Sequence, residues 1–121
     1  LIFFYIVIND HCLQYKKRLI SAAIGKFDGQ IFNFNFKKKI PCFRCFMPEA
    51  PVIDNNCESE GVMSTLAGIA GTLQANEVIK SILNHKNDLF GKILIFNSLT
   101  LNFRKVKFTR NKDCIKICTK K

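Results

Sequence analysis

Six of the 121 residues are cysteines, and their spacing is the most chemically informative feature of the chain. Cys42 and Cys45, in Pro41-Cys42-Phe43-Arg44-Cys45, have the two-residue separation that lets two thiolates face one metal ion. Cys114 and Cys118, close to the C-terminal end of the sequence, complete a candidate four-sulfur tetrahedral site, although their three-residue spacing is looser. A structural zinc ranks first among the readings; a redox Cys-x-x-Cys and cysteines without a role stay open as alternatives. Zinc here would tie the C-terminal segment to the Cys42–Cys45 loop, and its binding energy would be folding energy.

The other candidates are weaker. Cys57 stands alone in Asn56-Cys57-Glu58-Ser59-Glu60-Gly61-Val62, just before an expected helix. The helix N-terminus would lower its pKa while Glu58 and Glu60 would raise it, so residue types alone leave nucleophile and bystander both open. Cys12 follows an apolar stretch and reads as a small buried hydrophobe. His11 and His85 have no partner at ligand spacing and read as surface histidines.

The elements that must position these residues follow from periodicity. Lys16 to Gly25 reads as a buried strand, followed by a turn at Lys26 to Gly29. In Ile31-Phe32-Asn33-Phe34-Asn35-Phe36 the three phenylalanines alternate with asparagines, which puts Phe32, Phe34 and Phe36 on one sheet face and predicts a hairpin with the preceding strand. Ile40 to Glu60 holds all three prolines and Asp54-Asn55-Asn56, so no regular element is expected there. Gly61 to Asn84 reads as one helix, with Glu77 and Lys80 one turn apart and Gly68 and Gly71 expected at sites of close backbone packing. Lys92 to Phe96 and Leu101 to Phe108 read as two strands around an Asn97-Ser98 turn. The expected order is strand, strand, loop, helix, strand, strand, in a single α/β or α+β domain.

Composition narrows the class. With 48% hydrophobic and 23% charged residues the chain can form one modest core, which argues against disorder and against several domains. The apolar run Leu1 to Ile8 is far shorter than the roughly 18–20 residues that cross a bilayer, so a soluble, cytoplasmic chain with no membrane partner is expected. The net charge of +10 would ordinarily suggest an anionic partner. Its cations, however, are mostly lysines gathered in Lys16-Lys17-Arg18, Lys37-Lys38-Lys39 and the tail from Arg104, beside many Asn, Ile and Phe residues, which favours solvated surface under a biased composition. Nucleic-acid binding through lysine runs and aromatics ranks last, because the aromatics alternate inward.

Taken together, Ile8-Asn9-Asp10-His11-Cys12, Ser21 to Gln30, Pro41-Cys42-Phe43-Arg44-Cys45-Phe46-Met47-Pro48, Cys57 to Met63, and Gly68-Ile69-Ala70-Gly71-Thr72-Leu73-Gln74-Ala75-Asn76-Glu77-Val78-Ile79-Lys80 resemble, in order and spacing, successive motifs of the ThiF/MoeB/HesA adenylyltransferases, relatives of ubiquitin-activating enzymes. The resemblance runs from residue 8 to residue 118. It implies the C-terminal half of a Rossmann-like fold: a mixed sheet, one long buried helix, a crossover loop over residues 46–60 and a zinc-tied C-terminus. It also implies an enzyme that uses ATP and magnesium to adenylate the C-terminal glycine of a ubiquitin-like sulfur-carrier protein in molybdopterin or thiamine-type sulfur transfer, as a homodimer. Cys42, Cys45, Cys114 and Cys118 match the structural zinc ligands, and Cys57 matches the crossover-loop cysteine that in some members takes part in sulfur transfer.

One part of the family pattern is missing. A glycine-rich strand-to-helix turn for the phosphates has no counterpart, since the first glycine is Gly25. The family's magnesium-binding Asp and ATP-contacting Arg should fall in the first six residues, which read Leu-Ile-Phe-Phe-Tyr-Ile. The expectation is therefore a partial enzyme, inactive alone and needing a complementary N-terminal half. The alternatives are a zinc-bearing carrier-binding module without catalysis or the remnant of such an enzyme.

Overall fold

The computed structural model describes residues 2–37, 41–47, 61–86, 89–112 and 114. Helix α1 (Ile2–Gln14) leads into strand β1 (Arg18–Ile24), which turns through Gly25 to Asp28 into β2 (Asp28–Asn35). A four-residue helix α2 (Phe43–Phe46) follows, then the long helix α3 (Ser64–Ile82), then β3 (Lys92–Asn97) and β4 (Phe103–Lys107). The strands lie in sequence order in one sheet. All three ladders are antiparallel, where the resemblance implied a mixed sheet; the one parallel feature among the described residues is an isolated bridge between Asn33 and Phe90. The short connections β1–β2 and β3–β4 are hairpins, a geometry that permits only antiparallel pairing.

Because side chains alternate along each strand, the sheet has two closed faces. Phe32 and Phe34 of β2, Phe36 just after it and Ile93 of β3 pack with Ile6 of α1, with Phe43 of α2 and with Cys42 and Cys114. On the opposite face Ile31 and Phe96 pack with Leu66 and Ala70 of α3 and with Leu89. Gly29 is required at the crossing of β2 and β3, because the Phe96 ring occupies the place of a Cβ there.

Four expectations change. The opening residues form α1, which the hydrophobic pattern did not reveal because its first seven residues, Ile2 to Ile8, are apolar without a break and mark no face. A helix also occurs inside the expected Ile40 to Glu60 loop: the Cys45 N–H donates to the Cys42 carbonyl at 3.0 Å and the Met47 N–H to the Phe43 carbonyl at 2.8 Å. The long helix is buried on one face only, through Leu66, Ala70 and Glu77, while Val78, Ile79 and Ile82 are exposed. Gly68 and Gly71 lie on that open side with nothing within 4 Å of an added Cβ, so close packing does not explain them. The burial of Phe32, Phe34 and Phe36, each 7% exposed or less, agrees with the alternation in the sequence. No helix among the described residues is long and apolar enough to cross a membrane.

Candidate metal centre

Three of the four expected ligands converge. The Sγ atoms of Cys42, Cys45 and Cys114 all lie within 4.8 Å of one another. Cys42 Sγ is 3.9 Å from Cys45 Sγ and 3.4 Å from Cys114 Sγ, far outside the roughly 2.05 Å of a disulfide. Sulfurs bound at about 2.3 Å to a tetrahedral zinc are about 3.8 Å apart, so both separations are close to what one shared ion would require. The all-thiol donor set is chemically matched to zinc as well. Cys118 and Cys57 lie outside the described residues, as does most of the 46–60 loop.

The local fold explains why these sulfurs meet. Cys42 stands at the N-cap of α2, whose single turn brings Cys45 back to the same side. Phe43, between them, stacks on Tyr5 of α1 with ring centroids 5.6 Å apart and meets Phe32 edge-on at 5.7 Å, which anchors the turn against the sheet. Beyond β4 the chain returns beneath this cluster: Phe108 meets Phe34 at 6.2 Å and Phe46 at 6.3 Å, and Cys114 follows. Cys42 and Cys114 are 2% and 3% exposed, so their sulfurs are removed from water.

The sequence reading overlooked the supports of this turn, all of them inside the quoted motifs. Asn9 of α1, fully buried, accepts the Phe43 N–H on its Oδ1 at 2.9 Å. Asp10 takes Arg44 in a two-pronged ion pair, Nε to Oδ1 at 2.7 Å and Nη2 to Oδ2 at 2.8 Å. The Asp10 hydrogen bond raises the Arg44 pKa and outweighs the lowering effect of burial. Asn9 and Asp10 adjoin each other in Ile8-Asn9-Asp10-His11-Cys12, and the available signal was that motif itself. Cys12 is half-buried against the same cluster, and burial raises its thiol pKa. Among the described residues His11 hydrogen-bonds its own helix, Nδ1 to the Val7 carbonyl at 2.8 Å, and is not part of the thiol cluster.

A second polar cluster lies across the sheet. Glu77 of α3 is buried and accepts from Asn33 Nδ2 at 3.1 Å and from the Leu89 N–H at 2.9 Å, with Lys80 paired to its other oxygen. Burial pushes its pKa up, but Lys80, Leu89 and Asn33 together outweigh burial and leave the carboxyl below its ordinary value. Gln74, one turn earlier, donates to the Ile20 carbonyl of β1 at 2.8 Å. The Gln-Ala-x-Glu part of the helix motif thus fastens α3 to strands β1 and β2.

The family model described as ThiF family matches residues 5–116. The chain belongs to the ThiF family. Its similarity to named relatives agrees: it is 40% identical over 109 residues to a probable molybdopterin-synthase adenylyltransferase of Pyropia yezoensis, covering 88% of this chain and 29% of that protein. It is 37% identical over 112 residues to the adenylyltransferase and sulfurtransferase MOCS3 of Culex quinquefasciatus, covering 90% of this chain and 25% of that one. The chain therefore spans about a quarter of the length of these relatives. Among solved structures, E. coli MccB with MccA-N7isoASN superposes with a TM-score of 0.72 at 16% identity, over 90% of this chain and 35% of MccB, which shows a shared fold. Among the described residues the glycines form no phosphate cradle: Gly25 and Gly29 belong to the β1–β2 hairpin, Gly61 precedes α3, Gly68 and Gly71 lie within α3, and Gly91 precedes β3.

Proposed function

We propose that the chain is the zinc-bearing part of an ATP-dependent adenylyltransferase that activates the C-terminal glycine of a ubiquitin-like sulfur-carrier protein. The observation that carries this reading is the convergence of Cys42, Cys45 and Cys114 within a chain matched by the ThiF model over residues 5–116. Zinc, when bound, is structural: it cross-links the α2 turn and the segment after β4 on the outer side of the phenylalanine face. In this reading Cys118 is the fourth ligand, and Cys57 of the crossover loop is the candidate nucleophile toward the activated carrier. Adenylation depends on positioning and neutralising phosphate charge, and the glycines among the described residues form no cradle for it. In this reading the ATP-binding half is supplied by a complementary polypeptide segment, within a cytoplasmic assembly that is dimeric in the family.

The test is co-expression with a complementary ThiF N-terminal half, followed by an assay of pyrophosphate–ATP exchange that depends on the carrier. Exchange in the reconstituted pair and none in the chain alone is the expected result. Exchange by the chain alone contradicts the division of labour, and a reconstituted pair that binds the carrier without exchange points instead to a non-catalytic carrier-binding module. A nucleic-acid role is disfavoured by the burial of Phe32, Phe34 and Phe36, which leaves the lysine runs without these three rings as stacking partners.

A further inference from the structure

The backbone and side-chain contacts that fix the Cys42–Cys45 turn come largely from two consecutive residues of α1. Asn9 holds the amide directly after Cys42, and Asp10 holds both prongs of Arg44, the residue directly before Cys45. The two are themselves linked, Asn9 Nδ2 to Asp10 Oδ1 at 3.4 Å, so amide, carboxylate and guanidinium form one connected set. Arg44 and Asp10 side chains are only 24% and 23% exposed, and both carboxylate oxygens are engaged, unlike a solvated surface pair whose geometry wanders. Three thiolates on a divalent ion leave a net negative charge, and at Cys42 and Cys114 that charge is shielded from water.

We propose that Asp10, acting through Arg44, is a positioning residue for the metal: the two-pronged pair holds the guanidinium beside the thiol cluster, where it offsets negative charge and keeps the turn in its ligating shape. This rests on the metal reading above. Outer groups of this kind orient ligands, and their loss typically weakens metal binding about 10- to 100-fold. The consequence is a link between α1 and the metal: whatever displaces α1 loosens the site, although α1 supplies none of the three converging sulfurs.

The full chain is titrated against a chromophoric zinc chelator, and cobalt is substituted to record its ligand-field bands. Asp10→Asn and Arg44→Gln are each expected to lower zinc affinity about 10- to 100-fold and to shift the cobalt bands. Because Asp10 acts through Arg44, the double variant is expected to lose no more than Arg44→Gln alone. Arg44→Lys, which keeps the charge without the fork, restores part of the loss, whereas Lys26→Gln, a change of equal charge in the exposed β1–β2 turn, has no effect. Single variants within twofold of the unmodified chain, or losses that add in the double variant, overturn the proposal while leaving the metal reading intact. An unmodified chain that takes up no zinc overturns both.

Discussion

Toward α1 the sheet is closed mainly by rings and sulfur, and toward α3 by aliphatic side chains around the single Phe96 ring and by one buried carboxylate. The first face gathers segments distant in sequence: Ile6, Phe34, Phe43 and Cys114 meet in a single cluster. The second is a helix laid on strands and fixed at points such as Gln74 to Ile20 and Glu77 to Asn33 and Leu89. A long helix propagates its own backbone hydrogen bonds and needs fastening at only a few places. The four-residue α2 has only a single turn of such support, and the proposed metal cross-link would act most strongly there.

The strongest way to break that contrast is Cys42→Ser. Structural zinc sites are associated with about 10–16 kcal/mol of apparent binding energy, comparable with or larger than the about 5–15 kcal/mol that stabilises a typical domain. Loss of zinc in metal analysis and loss of amide protection in α1 and α2, with α3 protection falling less, is the expected pattern by hydrogen exchange. Phe34→Ala removes a ring that stacks on Phe32 and Phe36 and should cost about 3–5 kcal/mol in denaturant unfolding, again on the sulfur side.

On the helix side the carboxylate is the sensitive point. Glu77→Ala leaves the Leu89 N–H and Asn33 without their acceptor and should cost about 3–5 kcal/mol. Glu77 also gives this face a pH dependence. Its folded pKa lies below the ordinary 4.5, so its contribution is fully present above pH 4.5 and is lost as the pH falls through the folded value. Glu77→Gln should flatten the acid limb of the stability curve in thermal melts. The smallest effect sharpens the contrast between two glycines. Gly71→Ala, on open helix surface, should stabilise by up to about 1 kcal/mol, whereas Gly29→Ala must displace the Phe96 ring and should destabilise.

The strands and the long helix were legible because alternation and helical spacing are local properties of the chain: Phe32, Phe34 and Phe36 announce their face in any conformation that keeps them in a strand. The thiol partnership was legible for a different reason, since Cys-x-x-Cys spacing fits a metal whatever surrounds it. Three things were hidden. Helix α1 opens with seven apolar residues in a row, so no periodicity marks it. The clamp from Asn9 and Asp10 joins residues 34 apart in sequence, a pairing that only the packing of α1 against α2 creates. Gly68 and Gly71 suggested close packing because a glycine in a helix usually needs a reason, yet the helix surface there is open.

The most direct measurement is zinc stoichiometry by native mass spectrometry on the purified full chain, beside Cys42→Ser and Cys114→Ser. One tightly held zinc per chain, lost in both variants, is the expected result. A metal-free chain, or a zinc that survives either substitution, would contradict the assignment of the sulfur cluster as the metal centre that holds this face together.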